Sequence, residues 1–223
     1  MTRKIALLLA AMLMSVSALA RPLPGRYSPY QYGHRWYISF QAGPAISVAE
    51  YLETYSENGK GFDALSWHGV FSFGYNFTDA WDLRISADYG YKAGALAPYY
   101  SFRPYHFHAA HLFADMILNY NALADYNTPC NFKTYAGVGA ACTFGFTNIV
   151  HPFQTLESPN LVPGFRLGAI LEYAYKGGFG WFADLGATAF TEWYNGQEPD
   201  GFPLDLDFKL TLGIIYHFPL KTR

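Results

Sequence analysis

The stretch Trp81–Tyr91, with the sequence WDLRISADYGY, decides the fold because its side chains alternate between two characters. Apolar and aromatic residues occupy the odd positions, and charged or small residues occupy the even positions from Asp82 to Gly90. Successive side chains of a β-strand point to opposite faces, so this alternation indicates a strand with one apolar face and one polar face.

Seven further segments alternate in the same way and are separated by turn-rich gaps. The predicted strands are Arg35–Val48, Ser66–Phe77, Trp81–Tyr91, Phe107–Tyr120, Phe132–Phe146, Gly164–Tyr175, Phe179–Thr191 and Leu204–Phe218. Connections after the second, fourth and sixth strands are shorter than the others, and those after the first, third, fifth and seventh are long. This pattern predicts an eight-stranded antiparallel up-and-down β-barrel that crosses a membrane, with short turns at one end and long loops at the other.

Composition supports the same class. Aromatic residues make up 19% of the chain and charged residues 14%, whereas a soluble domain carries about 25% charged residues. Only a closed sheet satisfies its own backbone hydrogen bonds in a bilayer, so the strands are expected to form a barrel. The alternative is a soluble β-sandwich or lipocalin-like barrel with the apolar faces inside. The net charge of −2 argues against a nucleic-acid partner.

The N-terminus has the pattern of a secretory signal peptide. Arg3 and Lys4 precede an uncharged apolar run, and small residues lead up to Ala20, where cleavage is expected. The predicted organisation is a signal peptide over 1–20, a lead-in over 21–34, the barrel over 35–218 and a tail over 219–223. We therefore expect export to the outer membrane of a Gram-negative bacterium, with both termini in the periplasm and outer-membrane lipids around the barrel.

Two segments resemble a known family. The segment His111–Phe144 and the last strand, LDFKLTLGIIYHF, resemble the small outer-membrane β-barrel domains of the OmpA/OmpX-like type. The resemblance implies an eight-stranded barrel whose C-terminal strand is read by the barrel-assembly machinery. It implies no enzymatic activity and no cofactor. The peptidoglycan-binding domain that OmpA-type proteins often carry after the barrel is not expected here.

The polar faces of the strands predict a lumen network of mixed charge. Its predicted members are Arg84, Arg166, Lys209, Asp82, Asp88, Asp115, Glu172, Asp184 and Asp207. Because eight strands enclose little space, these groups should pair into a structural plug; the alternative is a narrow ion path. Aromatics near the strand ends predict two interfacial girdles, which include Trp36, Trp67, Trp81, Tyr89, Trp181, Trp193, Tyr216 and Phe218.

Ser66, His68 and Asp88 are the candidates for catalysis. Strand pairing places His68 diagonal to Asp88, with Ser66 on the same face, as a lipid-modifying barrel enzyme would require. No distinctive motif surrounds Ser66, so we expect a structural or surface-interaction protein and keep the enzyme as an alternative. His106 and His108 share a face but His111 points to the other, which leaves too few ligands for a metal site.

The long loops and the two cysteines complete the expectations. Loop aromatics suit protein or glycan ligands, or they pack against each other over the mouth of the barrel. These aromatics are Tyr51, Tyr55, Tyr99, Tyr100, Phe102, Tyr105, Phe153, Tyr194 and Phe202. Cys130 precedes the predicted strand Phe132–Phe146 and Cys142 lies within it, so the extended strand holds the two thiols too far apart for a disulfide. Two free thiols are therefore predicted.

Overall fold

Eight antiparallel strands form one closed barrel in sequence order. The computed structural model describes residues 35–48, 65–95, 104–124, 129–147, 160–174, 178–191, 194 and 204–218. The strands are β1 Arg35–Val48, β2 Leu65–Asn76, β3 Trp81–Ala95, β4 Pro104–Asn119, β5 Cys130–Thr147, β6 Asn160–Ala174, β7 Phe179–Thr191 and β8 Leu204–His217. The first strand pairs with the last, from Tyr37 opposite His217 to Val48 opposite Leu206. The predicted fold class is confirmed.

The two ends of the barrel differ in how the strands are joined. We call the end with the connections β2–β3, β4–β5 and β6–β7 the turn end, and the opposite end the loop end. Between β4 and β5 a short helix, α1 (Tyr120–Leu123), begins after Asn119, whose side chain accepts a hydrogen bond from the backbone N–H of Asn121. Among the described residues, no helix has the length and apolar character needed to cross a membrane.

Several strands extend further toward the loop end than the sequence pattern predicted. β3 continues to Ala95 and β4 begins at Pro104, and the two remain paired along this extension. The third strand was predicted to end at Tyr91, which would place Lys92 in the following loop. This is wrong, because Lys92 lies within β3 and pairs with Phe107 of β4. Strands β3 and β4 thus remain paired through their main chains beyond the point at which their side chains stop alternating between polar and apolar.

The barrel has an apolar outside and a polar inside. Leu112, Val138 and Leu212 point outward with 60%, 63% and 67% of their surface exposed, whereas Asp115 and Arg166 are buried in the lumen. A soluble sandwich or lipocalin-like barrel would have the opposite arrangement, with apolar side chains inside. The exposed apolar surface therefore faces hydrocarbon, and the sheet spans a membrane.

Outward-facing aromatics collect toward both ends of the strands. At the turn end, Trp36 stacks on Phe73 with ring centroids 4.8 Å apart, and Trp181 stacks on Tyr173 at 5.7 Å. Of the predicted girdle residues, the structure places Trp36, Trp81, Trp181, Tyr216 and Phe218 at the turn end and Trp67 and Tyr89 toward the loop end. Trp193 lies outside the described residues.

Candidate functional site

The lumen holds the polar side chains, and those nearest the turn end form one group that we call the turn-end cluster. Lys133 Nζ lies 2.9 Å from Glu172 Oε2 and 3.4 Å from Asp82 Oδ2. His217 Nε2 lies 3.3 Å from the other Glu172 oxygen, and the Asn76 amide donates to Asp82. Each carboxylate of this cluster thus contacts a basic group or an amide donor, as buried charges require.

A second group, the middle cluster, centres on Asp115 of β4. Arg84 of β3 donates from Nε to Asp115 Oδ2 at 2.8 Å, and Arg166 of β6 donates to both oxygens of the same carboxylate. Asp184 of β7 accepts a 2.9 Å hydrogen bond from the Tyr135 hydroxyl and lies 3.7 Å from Arg84 Nη1. Five consecutive strands, β3 to β7, therefore contribute to one network.

Aromatic faces complete the surroundings of the two arginines. The Arg84 guanidinium lies 4.6 Å from the centroid of the Tyr135 ring, and that of Arg166 lies 4.5 Å from the centroid of Phe113. A planar guanidinium can stack on a ring while its edge donates to carboxylates, which an ammonium group cannot do as well. The arrangement fixes the orientation of both side chains.

The third group, the loop-end cluster, has two carboxylates. Asp88 accepts from His68 Nδ1 at 2.9 Å, and its other oxygen lies 3.5 Å from His111 Nδ1 and 3.9 Å from Lys209 Nζ. Asp207 lies 2.6 Å from Lys92 Nζ. The Ser47 hydroxyl donates to the second Asp207 oxygen at 2.9 Å. Both carboxylates therefore have basic partners.

Tyr194 covers the loop-end cluster. Only 1% of its surface is exposed, and its ring stacks on Phe190 with centroids 4.0 Å apart. Its hydroxyl lies 3.0 Å from His111 Nε2, and it donates to that nitrogen when the Nδ1 proton faces Asp88. Burial, together with the nearby Asp207 and Asp88 carboxylates, raises the pKa of the Tyr194 phenol well above its ordinary value. The loop aromatics were expected to bind ligands or to pack over the mouth of the barrel, and the buried position of Tyr194 fits the second alternative.

Two layers of apolar side chains lie among the polar clusters. The first, between the turn-end and middle clusters, consists of Tyr37, Ile117, Tyr135, Ile170, Phe182 and Ile215. The second, toward the loop end, consists of Phe107, Ala109, Phe113, Ala141, Val162, Phe190 and Tyr194. The members on strands follow the same two-residue period as the charges, so the parity of their positions could have identified them, whereas Tyr194 lies beyond β7 and has no such signal. The sequence reasoning considered only the polar members of the lumen faces and missed them.

All nine predicted lumen residues lie inside the barrel and are buried. The structure divides them among three clusters: Asp82 and Glu172 at the turn end, Arg84, Asp115, Arg166 and Asp184 in the middle, and Asp88, Asp207 and Lys209 at the loop end. Sequence reasoning missed the buried basic residues Lys92 and Lys133 and the buried Asp205. Lys133 sits on the inward face of β5, two residues before the buried Tyr135, and this parity was the available signal.

Of the three candidates for catalysis, His68 and Asp88 are joined by a hydrogen bond. His68 contacts Asp88, but its Nε2 has no hydrogen-bond partner among the described residues, so Ser66 does not donate to it. A relay that activates a serine needs that contact. The pair is therefore part of the ionic network of the lumen in this geometry.

The histidines of β4 occupy different sides of the wall, as expected. His106 stacks on Tyr91 at 5.1 Å, and His108 stacks on Phe144 at 5.5 Å, whereas His111 points into the lumen. Within the described ranges, no group of three or more His, Cys, Asp or Glu side chains has the geometry to hold a metal ion. Cys130 and Cys142 both lie on β5 and are not joined by a disulfide.

A closed eight-stranded sheet with an apolar exterior and a lumen filled by ion pairs defines the class: a small transmembrane β-barrel. No protein-family model matches the chain, and no curated protein matches it in sequence. Neisserial surface protein A (NspA) is similar in structure, with a TM-score of 0.51 and 16% identity over 82% of this chain and 97% of that one. This likeness shows the fold, and the resemblance to OmpA/OmpX-like barrels is confirmed at that level.

Two further solved barrels align over similar lengths. The N-terminal β-barrel domain of Pseudomonas aeruginosa OprF has 19% identity and a TM-score of 0.40, over 82% of this chain and 97% of that one. The attachment invasion locus protein Ail of Yersinia pestis, solved with the heparin analogue sucrose octasulfate, has 13% identity and a TM-score of 0.48, over 83% and 99%.

Proposed function

We propose that this chain is an integral outer-membrane protein of a Gram-negative bacterium, with a structural or surface-interaction role and a lumen closed to solutes. One observation carries the proposal: three ionic clusters and two apolar layers succeed each other along the inside of the barrel. A pore would need a continuous aqueous path, which these layers interrupt. The remaining role of such a barrel lies in its membrane anchorage and in its loops.

The middle cluster supports a closed lumen because its members reach across the barrel. Arg84 and Arg166 project from β3 and β6 and share Asp115 of β4. On another side, Gln41 of β1 lies 3.3 Å from Asp184 of β7. An ion entering this level would have to separate buried charge pairs, and breaking such a pair costs about 3–5 kcal/mol.

Conductance in planar lipid bilayers tests the closed lumen. Purified protein, refolded and shown by its heat-modifiable gel mobility to be inserted, should give no steady single-channel currents. A general porin in the same membrane serves as the positive control. Steady unitary currents from the inserted protein would instead favour the narrow ion path.

The location is supported by the apolar exterior and by the signal-peptide pattern at the N-terminus. We propose that the loop end faces the cell exterior, which places the short turns and both termini in the periplasm. Density fractionation of cell envelopes, combined with a peptide tag inserted within 96–103, tests this directly. The tag should be accessible to antibody on intact cells, and a signal only after the outer membrane is permeabilised would reverse the orientation.

We propose that assembly depends on the last strand, because β8 closes the sheet against β1. In support, the backbone N–H of Phe218 donates to the Trp36 carbonyl at 2.9 Å, directly beyond β8. Phe218→Ala should reduce the amount of barrel recovered from the outer membrane, whereas Phe208→Ala, also outward on β8, is the matched control. Equal losses would show that the terminal aromatic has no special part in assembly.

For surface partners, we propose protein or glycan ligands at the loops, on the support of the aromatic loop residues predicted above. Because β3 and β4 extend beyond their predicted ends, the loop between them comprises only 96–103. Capture of surface material with and without that loop tests the idea, and an unchanged set of captured molecules would favour the purely structural role.

We also propose that the protein is not an enzyme. The unpartnered Nε2 of His68 supports this, because no serine hydroxyl of the described residues lies within hydrogen-bond distance of it. Purified protein incubated with phospholipid and lipopolysaccharide should leave both unchanged by mass spectrometry. Acyl transfer or hydrolysis that disappears in Ser66→Ala would establish the enzyme alternative.

A further inference from the structure

A small cavity lies inside the lumen between the middle and turn-end clusters. The centre of a water molecule can occupy about 10 Å³ of this cavity. The lining includes Tyr37, Arg84, Lys133 and Glu172 beside apolar side chains such as Ile170. A site of this size can hold one water when the walls supply two or more polar partners. The volume is sufficient for one water, so occupancy depends on whether the walls offer polar atoms that need a partner.

Two polar atoms on the lining residues lack partners. Arg84 donates from Nε to Asp115 and places Nη1 near Asp184, but its Nη2 has no hydrogen-bond partner among the described residues. The Tyr37 hydroxyl, also buried, is likewise without one. A buried donor left without a partner is destabilising, and native proteins leave few such groups.

We infer that this cavity is a binding site for a single ordered water molecule, which accepts a hydrogen bond from Arg84 Nη2 and pairs with the Tyr37 hydroxyl. A chloride ion is larger than water, and the Glu172 carboxylate lines the same cavity, so the chemistry favours the neutral ligand. A dry cavity would be expected only if its walls were apolar. The inference does not depend on whether the barrel conducts ions or binds partners.

The water connects two parts of the lumen that the side chains leave separate. Arg84 belongs to the middle cluster, Lys133 and Glu172 belong to the turn-end cluster, and the apolar layer with Ile117 and Ile170 lies between them. A water in the cavity supplies a polar contact through that layer. The closed lumen then contains an internal solvent site as part of its structure.

A high-resolution crystal structure grown with bromide in place of chloride tests the site. The expected result is one density peak at water level, about 2.7–3.2 Å from Arg84 Nη2 and the Tyr37 hydroxyl, without anomalous signal. An anomalous bromide peak would make the site an anion site and overturn the inference. An empty cavity would overturn it as well.

Unfolding in phospholipid bilayers gives a second test, with a matched pair of variants. Tyr37→Phe should lower the urea midpoint, because the water loses a partner. If the cavity is dry, the same change removes an unsatisfied hydroxyl, so a midpoint equal to or above that of the wild type contradicts the inference. Tyr135→Phe is the control, because its hydroxyl donates directly to Asp184 at 2.9 Å and its loss should lower the midpoint in either case.

Discussion

The middle cluster and the loop-end cluster both bury ion pairs, but different parts of the chain enclose them. Every charged member of the middle cluster lies on a strand, from Arg84 of β3 to Asp184 of β7. The loop-end cluster is also built on strands, yet Tyr194, which lies beyond the end of β7, covers it. The first is therefore enclosed by strand residues alone, whereas the cover of the second depends on where one connection places one ring.

The largest expected effect is in the middle cluster. Asp115→Ala removes the shared partner of Arg84 and Arg166 and should lower the free energy of unfolding by about 3–5 kcal/mol, because buried cations lose their counter-charge. Urea unfolding in lipid vesicles, followed by tryptophan fluorescence, measures the loss. Arg166→Lys, which keeps the charge but not the two-pronged geometry, should fall between this variant and the wild type. A loss below about 1 kcal/mol in Asp115→Ala would mean that water reaches the cluster.

The next effect is at the cover of the loop-end cluster. Tyr194→Ala removes a fully buried ring and should lower the free energy of unfolding by about 2 kcal/mol. It should also expose His111, which then reacts faster with diethyl pyrocarbonate, as peptide mass mapping would show. In Asp115→Ala, by contrast, His111 should stay protected under native conditions. Equal reactivity in the wild type and Tyr194→Ala would show that another segment covers the mouth.

Tyr194→Phe separates the hydroxyl from the ring. It removes the hydrogen bond to His111 but keeps the stack on Phe190, so the free energy of unfolding should fall by about 1 kcal/mol. His111 should remain unreactive toward diethyl pyrocarbonate. If Tyr194→Phe exposes His111 as much as Tyr194→Ala does, the hydrogen bond rather than the stack holds the cover in place.

The smallest effect concerns alkaline pH. Because the pKa of Tyr194 is raised in the folded protein, the unfolded chain loses the phenolic proton first as pH rises through about 10. The stability that the wild type has over Tyr194→Phe is present in full below that pH and should shrink by about 0.8 kcal/mol at pH ~10.5. Unfolding of both proteins at pH ~8 and ~10.5 measures this, and a constant difference would mean that the folded phenol ionises normally.

The sequence predicted the number of strands, their order and the side of the wall on which each residue lies. The bounds of β1 and β7 agree with the predicted segments at both ends. The disagreements concentrate toward the loop end, where β3 reaches Ala95 and β6 begins at Asn160. Alternation between apolar and polar side chains is a strong signal only where one face of the strand contacts the hydrocarbon of the membrane. Beyond that part of the strand, main-chain pairing alone sets its length.

The contacts inside the lumen were only partly predictable. Arg84 lies directly opposite Asp115 in the pairing of β3 with β4, so neighbouring strands predict that contact. Arg166 reaches the same carboxylate from 51 residues away, and Lys92 reaches Asp207 from 115 residues away. These contacts depend on the curvature and width of the barrel, and the alternation of residues along a single strand does not predict either property. Tyr194 carried no signal at all, because its position depends on the path of a loop.

The two thiols of β5 have a consequence for the timing of assembly. Cys130 opens the strand and Cys142 lies near its far end, about 40 Å away once the strand is extended. A bond between them can form only while that segment is still flexible, and it would then forbid the strand. If the chain is exported through an oxidising periplasm as proposed, folding of this segment and oxidation of its cysteines would compete, and the fraction of chains trapped as a disulfide would report how quickly the sheet closes.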